Sequence, residues 1–426
     1  MKKRLIFHID VNSAFLSWES VYRLSQDPDA LDLRTIPSAV GGDAASRHGI
    51  ILAKSTPAKK YGVTTGEPLA QALKKCPQLT VVPSRFDYYI QCSRNMMELL
   101  SHYTPDSEKF SIDETFLDMT STIHLFGDPL TTADRIRNQI RDELGFTVNV
   151  GISSNKLLAK MASDFQKPNL VHTLWPGEIQ MKMWGLPVRE LFSVGHASEK
   201  KLAALGVHTI GQLAETPDSV LYGCLKSHGL QIKRFANGLD DSPVAPAPPP
   251  NKGYGNSLTT PRDVTDRETA RLFLLSLAET LSARLRADGA MIRTVEISLR
   301  DCHLKFSHRQ RALETPTDLT VEIHEAACRC FEELWDGTPL RHLGIHTSGV
   351  TRTMERQLGL FDRLDYEKYR CAEAAVDRLR KRYGQDIIKR AVFVEAPGEK
   401  RVLADHMGGG ISREKRRVDY TKEIIL

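Results

Sequence analysis

The sequence predicts a multidomain protein of the α+β class, in which sheets are covered by helices. Three observations lead to this prediction. The chain has 426 residues, which exceeds one ordinary hydrophobic core and predicts two to four domains. Stretches of alternating apolar and polar residues, typical of strands, are interspersed with stretches that have the spacing of amphipathic helices. A proline-rich segment divides the chain between two such regions.

Strands and helices alternate in the first region. Residues 5–10 and 146–152 alternate as strands do, and residues 86–100 have a helical pattern. The apolar residues of 133–144 recur at helical spacing, and Gly145 is a typical residue to end that helix. The order of strand, long insertion, helix, strand, helix and strand predicts a sheet layered with helices.

Two adjacent acids, Asp113 and Glu114, lie between Ile112 and Phe116 in what the pattern predicts as a buried strand. Ionised carboxylates are costly to bury unless a positive charge meets them, and this segment contains no Lys or Arg. A third acid, Asp10, ends another apolar strand. Because hard cations such as Mg²⁺ prefer carboxylate oxygen, the pattern predicts metal-assisted chemistry on phosphates.

Short helices and a linker are predicted next. Residues 174–240 favour short helices only, and residues 202–213 have the spacing of a helix–hairpin–helix. The glycine-containing turn of such a motif exposes backbone N–H groups that hold a DNA phosphate without reading bases. Residues 241–252 contain five prolines, which predicts a semi-rigid interdomain linker.

The second region repeats the α+β pattern. A helix is predicted at about residues 267–286, followed by a strand at 294–300 and further alternation at 302–307. Residues 283–311 carry seven Lys or Arg against three Asp or Glu. A strand-borne basic face can lie along a nucleic-acid backbone, and a merely solvated sheet face is an equally weighted alternative. One more helix is predicted at 369–383, with no structure assigned after it.

Composition limits the classes of function. A net charge of +5 permits a nucleic-acid partner, and 41% hydrophobic with 26% charged residues is typical of a soluble globular protein. The seven cysteines form no Cys-x-x-Cys pair, which favours reduced thiols in a cytoplasmic protein and argues against zinc. The N-terminal stretch is too short and polar for a signal peptide, and no apolar run is long enough to span a membrane.

Several separate motifs carry a family resemblance. They are Ile9-Asp10-Val11-Asn12-Ser13-Ala14-Phe15, Tyr103-Thr104-Pro105, Ser111-Ile112-Asp113-Glu114, Gly151-Ile152-Ser153-Ser154-Asn155-Lys156-Leu157-Leu158-Ala159-Lys160, and Lys167-Pro168-Asn169. With these motifs in this order, the chain resembles the Y-family DNA polymerases, the translesion enzymes of the polymerase IV and V type. The resemblance covers residues 4–361. The remainder is similar to the C-terminal extensions of some Gram-positive and mobile-element members.

The resemblance implies a right-hand polymerase with a separate α/β domain called the little finger. Its implied divisions are a palm at residues 1–12 and 82–168, fingers at 13–81, a helical thumb with the helix–hairpin–helix at 169–240, the linker at 241–252, the little finger at 253–350, and a clamp-binding peptide with a C-terminal extension at 351–426.

The implied activity is template-directed addition of deoxynucleotides to a primer 3′ end, with low-fidelity synthesis across lesions in DNA damage tolerance and mutagenesis. The implied cofactors are two Mg²⁺ ions, with Mn²⁺ as a substitute. The implied partners are primer–template DNA, deoxynucleoside triphosphates and the bacterial sliding clamp. A cytoplasmic monomer without membrane contact is expected.

By resemblance, Asp10, Asp113 and Glu114 are the catalytic acids and metal ligands, and the Val11 carbonyl completes one metal shell. Asn12 stands where many members have a second Asp.

The nucleotide site is also assigned by resemblance. Phe15 occupies the place of the steric gate that excludes a ribose 2′-hydroxyl, and Lys167 reaches the triphosphate. Thr56 and Lys59 lie where the family commonly has Tyr and Arg, so the triphosphate contact is expected to be weaker.

Two further sets of contacts are implied. The DNA contacts are Gly195, Gly206, Arg293, Arg300 and Lys305. The clamp peptide consists of Gln357, Leu358, Leu360 and Phe361 around Gly359, and it places its apolar residues in a pocket of the clamp. Ser193 replaces the Gly that usually begins the helix–hairpin–helix turn.

Two alternatives remain open at this stage. A nucleotidyl cyclase also uses palm-like strands with paired acids, and a clamp-bound DNA repair scaffold would need no catalysis. The basic second region argues against the first, and the complete set of three acids argues against the second.

Overall fold

The computed structural model describes residues 4–42, 49–246, 249–353, 356, 365–384 and 387–394. These residues form two compact units, which divide between Pro248 and Pro249. Both units combine helices with sheets, so the predicted α+β class is confirmed. Among the described residues, no helix is long and apolar enough to cross a membrane.

The first unit contains two sheets. Its strands are β1 (Ile6–Val11), β2 (Ser38–Gly41), β3 (Ile51–Lys54), β4 (Thr80–Val82), β5 (Ser107–Lys109), β6 (Glu114–Asp118), β7 (Val148–Ser153) and β8 (Val171–Thr173). Five form a sheet in the order β5-β6-β1-β7-β8, and three form a small sheet in the order β3-β2-β4. β1 is central and antiparallel to both of its neighbours. All six of its residues are buried, as expected for a central strand covered on both faces.

Helices pack around these sheets. They are α1 (Ala14–Gln26), α2 (Thr56–Lys60), α3 (Leu69–Lys75), α4 (Phe86–Ser101), α5 (Pro129–Leu144), α6 (Lys156–Asp164), α7 (Ile179–Lys182), α8 (His196–Ala203), α9 (Ile210–Glu215), α10 (Asp218–Leu225) and α11 (Ser227–Ala236). The helices predicted at 86–100 and 133–144 are confirmed as α4 and α5. Asp128 caps the start of α5, and Gly145 ends it with a φ of 76°. The prediction of short helices for 174–240 is also confirmed.

The strand predicted around both acids is partly wrong. β6 begins at Glu114, and Asp113 lies in the bend before it. The Ser111 hydroxyl donates to the Asp113 carboxylate at 2.5 Å and accepts from the Asp113 N–H at 3.3 Å. These local bonds compete with strand pairing at Asp113, so the strand begins only at Glu114. Similarly, the strand predicted from residue 146 begins at Val148.

The second unit is one antiparallel sheet with helices. Its elements are β9 (Tyr254–Val264), α12 (Arg267–Ala287), β10 (Ile292–Asp301), β11 (Phe306–Thr317), α13 (Thr320–Leu334), β12 (Leu340–Ser348), α14 (Tyr366–Tyr383) and α15 (Ala391–Val394). The strand order is β11-β10-β12-β9. Val295, Ile297 and Leu299 are buried in the core shared with α12 and α13, which confirms the predicted alternation. Residues 302–304 form the turn between β10 and β11, so the strand alternation predicted there is wrong; Leu304 has a φ of 68°.

The predicted C-terminal helix is confirmed as α14, and it packs against the second unit through ion pairs. The Arg286 guanidinium pairs with Asp377 at 2.6 Å and with Glu373, and the Tyr366 hydroxyl donates to the buried Asp318 at 2.7 Å. The short helix α15 was not predicted from the sequence.

Candidate active site

One cavity of about 670 Å³ lies in the first unit. Its lining includes all eight residues assigned from the sequence to catalysis, metal binding or nucleotide binding, namely Asp10, Val11, Phe15, Thr56, Lys59, Asp113, Glu114 and Lys167. These residues lie up to 157 positions apart in the chain, so it is the fold that brings them together.

The pairing of β1 with β6 places the acids. Asp10 and Glu114 are directly opposite each other in the antiparallel ladder. Opposite residues of such a pair project to the same face of the sheet, so both carboxylates face the cavity. The Val11 N–H donates to the Asp113 carbonyl at 3.0 Å, which ties the bend before β6 to the end of β1.

Asp10 is the most buried of the three acids, with 7% of its surface exposed. Burial raises the pKa of Asp10 to about 6, even though the positive charge of Lys167 opposes this shift. Lys167 donates to Asp10 at 2.8 Å and also pairs with Asp164 at 2.8 Å. Burial alone would lower the pKa of Lys167, but these two carboxylates raise it above its usual value.

A lysine meets the paired acids, although their own segment contains no Lys or Arg. The Lys160 ammonium on α6 lies 2.7 Å from a carboxylate oxygen of Glu114. The sequence segment around the acids contains no cation, but α6 packs against β1 and supplies one from 46 residues away.

The donor set fits a hard divalent cation. Three carboxylates and the Val11 residue line the cavity and carry oxygen donors, and burial raises the pKa of Asp10 even beside Lys167. As they lie, no three Asp, Glu, His or Cys side chains within the described ranges are close enough together to hold a metal ion. Glu114 points to Lys160, and Asp113 accepts from Ser111, so these acids must exchange partners to share a cation.

The first comparison with known proteins covers two blocks of the chain. Residues 9–164 match the model of the impB/mucB/samB family, and residues 251–360 match the model of its C-terminal domain. A DNA polymerase IV of Clostridium acetobutylicum is 42% identical over 392 residues, which are 92% of this chain and 98% of that protein. The chain belongs to the Y family of DNA polymerases.

Other proteins agree with this membership. The DNA polymerase IV 2 of Bacillus subtilis is 35% identical over 96% of this chain and 99% of its own length. The solved structure of a Y-family DNA polymerase chimera, Dbh-Dpo4(243-245)-Dbh, has a TM-score of 0.70 at 21% identity. It covers 81% of this chain, which confirms the predicted polymerase fold.

Phe15 lines the cavity of this Y-family polymerase, and other aromatic side chains support its ring from behind. The Phe15 ring is half-buried and stacks on Tyr89, with ring centroids 5.1 Å apart and planes inclined by 18°. Phe86 contacts Phe15 edge-on at 5.8 Å. Because Tyr89 is itself fully buried, Phe15 has a fixed support.

Cations line another part of the cavity. Lys59 and Thr56 on α2 are exposed there, and Lys54 at the end of β3 joins them. Burial, followed by the charge of Lys59, lowers the pKa of Lys54. Lys54 was not predicted as a site residue; the feature that indicates it is a lysine at the end of a short apolar strand, Ile51–Lys54.

Asn12 has a structural role. Its side chain donates to the Asn149 side chain at 3.1 Å and accepts from the Asn169 N–H at 2.9 Å. It thereby joins the end of β1 to β7 and to the loop after Lys167, which explains why an amide is suitable at this position.

The helix–hairpin–helix has the geometry that its sequence predicts. Gly195 precedes α8, and Gly206 turns the chain towards α9 with a φ of 77°. Ser193 has a φ of 72°, a conformation that glycine adopts more readily. The usual preference for Gly at that position therefore has a backbone cause.

The basic stretch of the second unit is partly neutralised. Arg309 pairs with Glu333 at 2.7 Å, Arg311 pairs with the same carboxylate, and Arg286 pairs with the acids of α14. Three other basic residues of this unit were assigned to DNA contact. Of these, Arg293 and Lys305 are exposed, and the Arg300 guanidinium lies 5.0 Å from the centre of the Phe306 ring.

The residues assigned from the sequence to clamp binding, Gln357, Leu358, Leu360 and Phe361, lie outside the described residues. Described groups on either side of them are anchored to the second unit. Arg356 forms two bonds to Glu322 at 2.7 and 2.8 Å, and Tyr366 bonds to Asp318.

Proposed function

We propose that the cavity at the end of β1 is a polymerase active site. There, deoxynucleotides are added to a primer 3′ end under the direction of a template strand. The observation that supports this most is that the acids, the aromatic residue and the cations assigned from separate motifs line one cavity. As a Y-family DNA-directed DNA polymerase, the protein carries out low-fidelity translesion synthesis. Relatives that match along 98–99% of their length are named DNA polymerases, which leaves the cyclase and the scaffold without support.

Asp10, Asp113, Glu114 and the Val11 carbonyl would hold two Mg²⁺ ions, for which Mn²⁺ can substitute. When bound, such ions activate the primer hydroxyl and neutralise the departing pyrophosphate. The residues of this chain orient the donors. β1 fixes Asp10 and the Val11 carbonyl, and β6 fixes Glu114 opposite Asp10.

Lys167 holds the incoming triphosphate. Its ammonium is bound by Asp10 and Asp164, but 36% of its side chain is exposed, so a phosphate oxygen can reach it. Lys59 and Lys54 add positive charge on the fingers side, and Thr56 adds a hydroxyl. A lysine provides a point charge without the bidentate fork of arginine, so phosphate orientation depends on several cations together.

Phe15 acts as the steric gate. Its ring lines the cavity and is supported by Tyr89, so it does not readily yield to an additional hydroxyl. A ribonucleotide would bring its 2′-hydroxyl against this ring, and deoxynucleotides are selected by that contact.

DNA would be held by backbone groups and cations without base-specific contacts. Gly195 and Gly206 present turns that suit a phosphate, and Arg293, Arg300 and Lys305 supply charge from the second unit. We further propose that residues 357–361 dock on a bacterial sliding clamp as an extended peptide. The protein then acts as a cytoplasmic monomer attached to the clamp.

Primer extension on a damaged template tests the proposal. With Mg²⁺ or Mn²⁺ and the clamp present, we expect the wild-type chain to extend the primer and the Asp113→Asn, Glu114→Gln variant not to. The proposal fails if the wild-type chain extends no primer, or if the variant extends it equally well.

A further inference from the structure

Lys160 is a largely buried cation beside the proposed metal site, and no role was assigned to it from the sequence. Its ammonium lies 2.7 Å from Glu114, and the two side chains are 12% and 19% exposed. A salt bridge at this depth is screened by solvent less than a surface pair, so the positive charge of Lys160 acts strongly on the Glu114 carboxylate.

Two aromatic rings surround the same ammonium. It lies 5.3 Å from the centre of the Phe110 ring and 5.7 Å from that of Phe192. The two rings contact each other edge-on at 6.0 Å, and Phe192 continues to Phe235 at 6.2 Å. The face of an aromatic ring attracts a cation, so these rings stabilise the ammonium without needing Glu114.

A divalent cation and the Lys160 ammonium compete for one carboxylate. Glu114 is directed to Lys160, and the described acids do not gather into a three-ligand cluster as they lie. Glu114 can bind a metal ion together with Asp10 only if it weakens or gives up its bond to Lys160.

We propose that Lys160 is a positioning residue that neutralises Glu114 before the metal ions bind and sets how tightly they are held. On metal binding, the ammonium retains its contacts with Phe110 and Phe192 while the carboxylate turns to the cation. Because Phe192 lies in the proposed thumb segment, this arrangement also connects the metal site with that segment. The inference rests on the proposed metal site.

The chain provides a closely matched control. Lys156 lies one helical turn earlier on α6 and binds Glu108 at 2.7 Å, with side chains 14% and 19% exposed. Its ammonium lies 5.0 Å from the Phe116 ring. Lys156 therefore has the same type of ion pair and ring contact, but its partner Glu108 does not line the cavity, whereas Glu114 does.

The test measures Mn²⁺ binding to the full chain, without DNA or nucleotide, by electron paramagnetic resonance of the free ion. Site-specific binding is the part that disappears in the Asp113→Asn, Glu114→Gln variant. Removing a positive charge beside the site should strengthen the binding of a divalent cation, so we expect Lys160→Met to lower the Mn²⁺ Kd by about tenfold. Lys156→Met should leave the Kd unchanged, and Lys160→Arg should restore a value near that of the wild type.

Thermal unfolding keeps the test independent of folding defects. Both Met variants are expected to lose stability, because each removes the ion pair of a largely buried glutamate, but added Mn²⁺ should raise the Tm further for Lys160→Met than for Lys156→Met. An unchanged or weaker Mn²⁺ Kd in Lys160→Met overturns the inference while the metal site stands. If the wild-type chain has no site-specific Mn²⁺ binding, the proposed metal site fails and the inference fails with it.

Discussion

Asp10 and Glu114 lie directly opposite each other on neighbouring antiparallel strands, and each is bound by a lysine from another part of the first unit. Lys167 holds Asp10 at 2.8 Å, and Lys160 holds Glu114 at 2.7 Å. The site thus gathers negative charge at a strand end and offsets it with two ammonium groups. This arrangement has consequences for stability as well as for catalysis.

The first prediction is that Asp10→Asn stabilises the protein at neutral pH in the absence of divalent metal. The pKa of Asp10 rises from 3.8 to about 6 on folding, and this difference corresponds to a cost on the order of 3 kcal/mol for the ionised form. The folded state favours the protonated carboxyl of Asp10. The stability that this protonation contributes is therefore fully present below about pH 4 and is lost as the pH rises through about 6.

Urea unfolding at pH 8 and pH 5 measures this effect. The gain in the free energy of unfolding should be larger at pH 8 than at pH 5. Asp164→Asn is the control, since Asp164 also pairs with Lys167 but is 43% exposed. A loss of stability in Asp10→Asn at pH 8 would show that burial is not the dominant influence on Asp10.

The second prediction concerns sugar selection by Phe15. Phe15→Val removes the ring that faces the cavity, so we expect ribonucleotide incorporation relative to deoxynucleotide incorporation to rise by at least about tenfold, or about 1.4 kcal/mol. Single-nucleotide incorporation with each sugar measures the ratio of kcat/KM values. Phe86→Leu, in the same aromatic cluster but outside the cavity lining, should leave the ratio unchanged. Equal ratios in the wild type and Phe15→Val would show that Phe15 is not the steric gate.

The third prediction concerns the triphosphate. Lys59→Met should raise the KM for deoxynucleotides by about tenfold, because one charge–phosphate contact is lost. Lys59→Arg should lower the KM, since its fork can bind two phosphate oxygens. Steady-state incorporation kinetics measure both. Lys60→Met is the control, because Lys60 is the next residue on α2 and does not line the cavity. Equal effects of Lys59→Met and Lys60→Met would show that the KM depends on the overall positive charge of α2 and not on a specific contact of Lys59.

Lys54 adds a pH dependence to this contact. Its pKa is lowered by burial and by the charge of Lys59, so it loses its proton at a lower pH than an ordinary lysine. The KM for deoxynucleotides should therefore begin to rise at a lower pH in the wild type than in Lys54→Arg.

The fourth prediction concerns the clamp. A peptide of residues 355–363 should bind a bacterial sliding clamp, and in the full chain Leu360→Ala with Phe361→Ala should weaken binding by at least about tenfold. Surface plasmon resonance measures both, with Arg363→Met as a control beyond the pentapeptide. Absence of peptide binding at about 50 μM, or unchanged binding of the double variant, contradicts the assignment.

The extent of sequence-based prediction differs between parts of the site. Asp10, Asp113 and Glu114 were predicted because carboxylates beside apolar residues are unusual, and their motifs are local. Lys160 was not linked to Glu114 because that contact spans 46 residues and depends on how α6 packs on the sheet. The alternation that predicted a strand through Asp113 failed for a local reason, since Ser111 binds the backbone and side chain of Asp113.

The second unit shows the same distinction. The buried positions of β10 follow from their period of two, and they were predicted. Which basic residues remain available for DNA could not be predicted, because Arg286, Arg309 and Arg311 find carboxylates on α13 and α14. Ion pairs between distant elements leave no periodic signal in a single sequence.

Single-nucleotide incorporation opposite each of the four template bases is the most direct test of the central claim, that the acids of β1 and β6 carry out template-directed synthesis. With Mg²⁺, we predict that the wild-type chain preferentially inserts the complementary deoxynucleotide on each template and continues past a damaged base. The Asp113→Asn, Glu114→Gln variant should remain folded, as judged by its Tm, and should insert nothing. Incorporation that is independent of the template base, or that persists in this variant, would contradict the claim.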